Sequence, residues 1–239
     1  MPQAHAHNDY EHERPLLDAL EQGFGSVEAD VHLLEGELYV AHNHPDQLGA
    51  TQTLRSLYLQ PLWARTNGGS QPVFAGTTEP FLLMIDIKTA AGPTYAAIQA
   101  ALEEFRPLFA RVEDGVEVSG PVLVFLSGSR PVEAILSAES FIARLDGRPG
   151  DLGQGIPASR MPVVSDQFRK VAGWCGIGRM PRRVRQRLTE YVARVHAEGK
   201  RVRFWAHPDR PGVWRALRDC GVDLINTDDL PGLASFLRG

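Results

Sequence analysis

Short runs of apolar and β-branched residues alternate with stretches of helical periodicity along most of the chain. The runs predict strands over Gln3–His7, Ser26–Leu33, Phe81–Ile87, Pro121–Phe125, Phe141–Arg144, Met161–Val164, Arg201–Trp205 and Asp223–Asn226. The pattern between them predicts helices over Arg14–Gln22, Leu54–Arg65, Pro93–Phe109, Pro131–Leu136, Pro181–Glu198 and Gly212–Asp219. Proline near several starts and glycine just past the ends, as at Glu198-Gly199 and Cys220-Gly221, mark helix boundaries. Eight strands with intervening helices predict an α/β protein of the (β/α)8 TIM-barrel type, and the same rhythm also suits a doubly wound open sheet. The glycine- and proline-rich stretches Asn67–Glu79 and Gly147–Arg160 predict surface loops. No internal repeat or linker divides the chain, so residues 1–239 are expected to form one barrel domain.

Composition narrows the partners more than the fold. A chain of 239 residues, 43% apolar and 23% charged, can bury a full core. A net charge of -4 provides no basic footprint, which argues against nucleic acid as a partner. No apolar run approaches the roughly 18 residues of a membrane helix, so transient contact with a membrane surface is the most that is expected. No signal peptide is visible; the chain as written reads as cytoplasmic, or as secreted or periplasmic had a leader been removed. Cys175 and Cys220 fit no metal spacing and read as thiols or one disulfide. Lysine occurs only at 88, 170 and 200, which makes Lys88, embedded in an apolar run, conspicuous.

The polar positions inside the strands suggest chemistry. His5 and His7 lie two apart and share a face, as do Glu28 and Asp30. Val27, Ala29 and Val31 fill the opposite face, and two inward acids are costly to bury unless they serve a purpose. Both carboxylates can then aim at one point, as a hard cation such as Mg²⁺ or Ca²⁺ requires. Phe81–Ile85 runs into Asp86 with Lys88 two positions later, which predicts a third metal ligand and a lysine that holds phosphate or steadies developing charge; a plain Asp–Lys ion pair is the simpler reading. His42 follows a short strand or hairpin arm, Leu38–Ala41, and a histidine can exchange a proton near neutral pH. His12, His44 and His196 read as ordinary structural histidines.

With these residues in view, the order of His, Gly-Ser-Val-Glu28-Ala-Asp30, His42 and a closing Gly221-Val222-Asp223 strand resembles the glycerophosphodiester phosphodiesterase and phosphatidylinositol phospholipase C-like superfamily. The stretch Ile85-Asp86-Ile87-Lys88-Thr89 resembles the Asp-Leu-Lys-Thr strand of sphingomyelinase D-type phospholipases. His7-Asn8-Asp9-Tyr10 resembles a bacterial and fungal subgroup that includes relatives of a yeast protein named for altered mitochondrial inheritance. The resemblance implies one Mg²⁺ or Ca²⁺ ion on Glu28, Asp30 and Asp86, with His42 as one acid/base residue. The other is His5 when Ala-His is matched, or His7 when His-Asn is matched, in which case Asn8 also reaches the metal. It further implies that Trp205 lines a pocket; Arg130 and Ser165-Asp166, placed just after strands, are expected beside it. The arginine that follows the first histidine in glycerophosphodiesterases is missing here, where Ala6 stands, so substrate choice does not carry over.

The expected function is metal-dependent cleavage of a glycerophosphodiester or (lyso)phospholipid-type phosphodiester by two-histidine acid/base catalysis. One alternative is a His-x-His transition-metal hydrolase of amidohydrolase or polymerase-histidinol-phosphatase type, resting on His5-Ala6-His7 with His207 as the candidate later ligand. Another is a non-catalytic barrel that binds phosphodiesters.

Overall fold

The computed structural model describes residues 1–45 and 52–239. Its strands are β1 (Ala4–Ala6), β2 (Ser26–Leu34), β3 (Glu37–Val40), β4 (Phe81–Ile87), β5 (Arg111–Glu113), β6 (Val116–Val118), β7 (Val122–Gly128), β8 (Arg144–Gly147), β9 (Val163–Gln167), β10 (Arg201–Trp205) and β11 (Leu224–Thr227). Its helices are α1 (Leu17–Gln22), α2 (Gln60–Arg65), α3 (Ala91–Glu103), α4 (Val132–Ser137), α5 (Phe168–Ala172), α6 (Arg182–His196), α7 (Pro211–Asp219) and α8 (Leu230–Arg238). Eight parallel strands run β1-β2-β4-β7-β8-β9-β10-β11, and β11 pairs again with β1. That second pairing closes a TIM barrel and excludes the open sheet. β3 folds back antiparallel on β2, and β5–β6 form a separate hairpin.

Side-chain alternation divides each strand between two layers. Val27, Ala29 and Val31 of β2, and Leu83, Ile85 and Ile87 of β4, face the helices within one continuous core. Leu82, Met84, Phe125, Val163 and Leu224 face inward and form a separate apolar plug. Each fully buried side chain of this kind stabilises the fold by about 1.5–3 kcal/mol. Above the plug the inward positions turn polar on every barrel strand: His5, Glu28, Asp86, Ser127, Asp146, Ser165, Arg203 and Asn226.

The fold corrects several boundaries. The strand expected at Phe141–Arg144 begins at Arg144 and ends at Gly147, because the inward residues there are Arg144 and Asp146 while Phe141 bridges Val112 of β5. β7 continues past Phe125 to Gly128, with polar Ser127 facing inward. The helix expected at Leu54–Arg65 opens as a wide π-turn over Arg55–Leu59 before α2. Pro61 explains the widening, since its ring cannot follow a regular turn. α3 stops at Glu103, and a 3-10 turn over Arg106–Leu108 follows. The β5–β6 hairpin, α5 and α8 lie outside the elements expected from the pattern.

Candidate active site

The first loop places three groups through one tetrapeptide. Asn8 takes a left-handed conformation (φ 47°), which asparagine tolerates better than most residues. The buried Asp9 turns away from the barrel and accepts hydrogen bonds from Leu16 N at 2.5 Å and Tyr58 Oη at 2.9 Å. Thus anchored, the loop aims His7 and Tyr10 at the barrel mouth. The Tyr10 hydroxyl lies 2.7 Å from Asp30 Oδ2, 2.9 Å from Asn8 Oδ1 and 3.2 Å from His42 Nδ1. Burial and the neighbouring Asp30 push its phenol well above the ordinary range, so it remains a proton donor.

Glu28, Asp30 and Asp86 converge, with one carboxylate oxygen of each within 4.8 Å of the others. Among the described residues this is the group close enough to hold an ion, and it contains no histidine. Asp30 Oδ2 is fully used: Tyr10, His42 Nδ1 at 3.2 Å and Lys88 Nζ at 2.9 Å surround it. Asp30 Oδ1 is buried without a partner. Lys88 Nζ also lies 3.2 Å from Asp86 Oδ1, so the ion pair expected as the simpler reading is present. Burial opposes the charge on Lys88, but the two carboxylates outweigh it and raise its pKa. Burial, with Asp30 and Glu28 nearby, pushes the Asp86 carboxyl up despite Lys88. Gly128, at φ 66°, leaves room for Asp86: a Cβ there would stand 2.3 Å from Asp86 Oδ1.

Glu28 is held from the far side of the barrel. Arg203 Nη2 donates to its Oε2 at 2.7 Å, while Arg203 Nε donates to Asn226 Oδ1 at 2.8 Å. Burial works against the Glu28 charge, yet Arg203 and the nearby histidines hold the carboxyl far below the usual range. His5 is fully buried, its Nδ1 2.6 Å from Ser26 Oγ and its Nε2 3.5 Å from Glu28 Oε2. Burial and the Arg203 guanidinium push its pKa down to about 4, so this ring is neutral. The His7 side chain is 30% exposed, with Nδ1 2.8 Å from Asp228 Oδ1 and Nε2 3.9 Å from Glu28 Oε2. Burial lowers its pKa, but the Asp228 bond and the Glu28 charge prevail and raise it. His42 is more open, with 54% of its side chain exposed.

The remaining candidates are spread out. Trp205 ends β10 and is 37% exposed at the rim. The Arg130 guanidinium is occupied by the Asp146 carbonyl and the Asp151 carboxylate, each at 2.8 Å. His207 stacks edge-on against Phe168, apart from the acidic group. The cysteines are unpaired, Cys175 exposed and Cys220 buried. A cavity of about 460 Å³ opens at the opposite end of the barrel, among Gln3, Gly25, Phe81, Leu82, Arg201 and Leu224, and none of the site residues lines it.

Four contributors escape the sequence reading. Tyr10 sat inside a motif noted only for its likeness. Asp228 sat in the closing segment without a role. Arg203 and Arg148 belong to a chain rich in arginine, where a single one carries little signal. Arg148 is held by the buried Asp146 and by Ser127 Oγ at 2.8 Å, and Asp146 is itself bonded to Ser127 at 2.9 Å and Ser165 at 2.6 Å. Burial opposes the Arg148 charge, but Asp146, with Asp86 beyond it, raises its pKa.

Residues 1–143, which carry His5 through Lys88, match the family model of the AIM6-like phosphodiesterase domain. The chain belongs to the AIM6-like phosphodiesterase domain family. Residues 201–231, which hold Arg203, Trp205 and Asp228, match the model of the Glycerophosphoryl diester phosphodiesterase family. Altered inheritance of mitochondria protein 6 from Eremothecium gossypii is 30% identical over 274 residues, spanning 99% of this chain and 69% of that protein. A homolog of that protein from Arthroderma benhamiae is 29% identical over 256 residues, spanning 95% and 81%. Among solved structures, glycerophosphodiester phosphodiesterase from Agrobacterium tumefaciens str. C58 superposes over the whole of both chains with a TM-score of 0.61 at 15% identity. A glycerophosphoryl diester phosphodiesterase from Parabacteroides distasonis ATCC 8503 gives 0.55 at 13%, covering 100% of this chain and 86% of its own. At such identities the likeness to solved structures is one of fold, and it places this AIM6-like chain on the same barrel.

Proposed function

We propose that the chain is a metal-dependent phosphodiesterase that cleaves a glycerophosphodiester or a (lyso)phospholipid-type phosphodiester. The observation that carries this reading is the acidic trio Glu28, Asp30 and Asp86 at the barrel mouth, with the orphaned Asp30 Oδ1 among them and His7 and His42 on either side. An all-oxygen donor set suits one Mg²⁺ or Ca²⁺ and does not favour the softer metals of a His-x-His hydrolase. Such an ion, when bound, neutralises charge on a phosphate oxygen and helps position it.

The chain's own groups do the rest. Lys88, on the same face as Asp86, supplies a donor to a phosphate oxygen. Asp228 orients the His7 ring from behind, and Asp30 with Tyr10 does the same for His42. One of these histidines takes the proton of the attacking hydroxyl, and the other returns a proton to the leaving alcohol. An attacking water gives a phosphomonoester, whereas a neighbouring hydroxyl of the substrate gives a cyclic phosphate. His5, sealed in the wall against Ser26, holds Glu28 and takes no part in proton transfer.

The test is choline release from glycerophosphocholine by the wild type and by His42→Ala. The reading expects Mg²⁺- or Ca²⁺-dependent release that falls by roughly 10²–10⁴-fold in the variant. Full turnover by His42→Ala would contradict the mechanism.

A further inference from the structure

From Phe168 to Arg187 the chain carries seven cations, Arg169, Lys170, Arg179, Arg182, Arg183, Arg185 and Arg187, and no acid. The whole chain has a net charge of -4, so the remainder carries -11. The stretch leaves β9, forms α5 and enters α6, and therefore lies at the C-terminal end of the barrel, the end that holds the acidic trio. It is a packed unit and no loose arm. Phe168 meets Trp174 edge-on at 6.2 Å, Trp174 Nε1 donates to Ile177 O at 3.0 Å, and Arg187 Nε donates to Val171 O at 3.0 Å. Gln167, directly before it, pairs with Trp205 on the rim.

Two features have no use within the fold. Arg169, Lys170, Arg179, Arg182 and Arg183 are all exposed, and none forms an ion pair with the described residues. Arg182 and Arg183 occupy the first turn of α6, which holds no acid. The helix dipole disfavours cations there, so the fold places them at a cost. Between the cations stands Ile177, 72% exposed, with Trp205 a further exposed aromatic beside the segment. Nucleic acid would use the local charge, but the chain as a whole carries -4 and would repel an extended polyanion beyond this patch. A bilayer of anionic lipid uses both, drawing cations to its surface and taking apolar side chains below it.

We infer that the segment 168–187, with Trp205, docks the barrel mouth onto an anionic lipid membrane. The surface acts by binding, so its test stands apart from the catalytic reading. The full chain is sedimented with vesicles of phosphatidylcholine alone, and of phosphatidylcholine with about 30 mol % phosphatidylglycerol, at about 0.05 and about 0.5 M salt. Binding is expected to the anionic vesicles only and to weaken at high salt. Each basic residue near such a surface contributes about fivefold in affinity, so Arg179→Glu/Arg182→Glu/Arg183→Glu should lose well over tenfold. Ile177→Ser should lose a smaller factor, and Arg194→Glu, at the far end of α6, should bind like the wild type. Far-ultraviolet dichroism checks that each variant is folded. Equal binding to neutral vesicles, undiminished binding by the triple variant, or tighter capture of a duplex oligonucleotide than of vesicles would overturn the inference.

Discussion

His5 and His7 differ by two positions in the chain but sit in opposite environments. His5 is sealed, neutral and wedged between Ser26 and Glu28, whereas His7 is partly open and braced by Asp228. The sequence pattern puts both on one face and cannot rank them, because burial depends on what closes over the strand end. The two substitutions should therefore separate. His7→Ala should lower turnover by roughly 10²–10⁴-fold with little change in melting temperature. His5→Ala should cost about 1–3 kcal/mol in urea denaturation, since it strands a buried hydroxyl and carboxylate. Equal effects on both measures would remove the distinction. Arg203 makes a sharper case. Arg203→Met leaves Glu28 buried and uncompensated, a loss of about 3–5 kcal/mol. Adding Mg²⁺ should restore part of it, because the ion takes over the charge. A urea midpoint equal to the wild type in Arg203→Met would refute the proposed role.

Strand ends decide which polar groups meet. β2 and β4 were legible nearly to the residue because their outward faces are unbroken apolar runs that demand helix cover. β8 was misplaced because its inward positions are Arg144 and Asp146, so its signal is the reverse of an apolar run. Across these ends β7 makes a close approach to β4 at Gly128. Gly128→Ala would put a Cβ 2.3 Å from Asp86 Oδ1 and 2.4 Å from Ile87 O, at a φ that alanine rarely adopts. The variant should lose stability by at least 1 kcal/mol or so and should bind Mg²⁺ measurably more weakly by calorimetry, as Asp86 is displaced. Wild-type affinity in this variant would show that Asp86 is not a ligand.

Taken as one body, the barrel stacks an apolar plug, a ring of polar residues and an open acidic mouth along its axis. The ring was only half visible in the sequence. Its acids and histidines announced themselves on short strands, but the arginines that balance them did not: Arg203 is 175 residues from Glu28, and only closure of the barrel brings the two together, while Arg148 stands just past β8 and nears Asp86 through the pairing of β4, β7 and β8. A mouth of three convergent carboxylates flanked by two histidines, with the divalent ion proposed for it, should work on phosphodiesters and on little else. The direct measurement is a phosphorus NMR time course with glycerophosphocholine and lysophosphatidylcholine, run with Mg²⁺ or Ca²⁺ and again with EDTA. The account predicts a new monoester or cyclic phosphate resonance that requires the ion and vanishes with chelator. An unchanged spectrum with either ion, in protein shown to be folded, would contradict it.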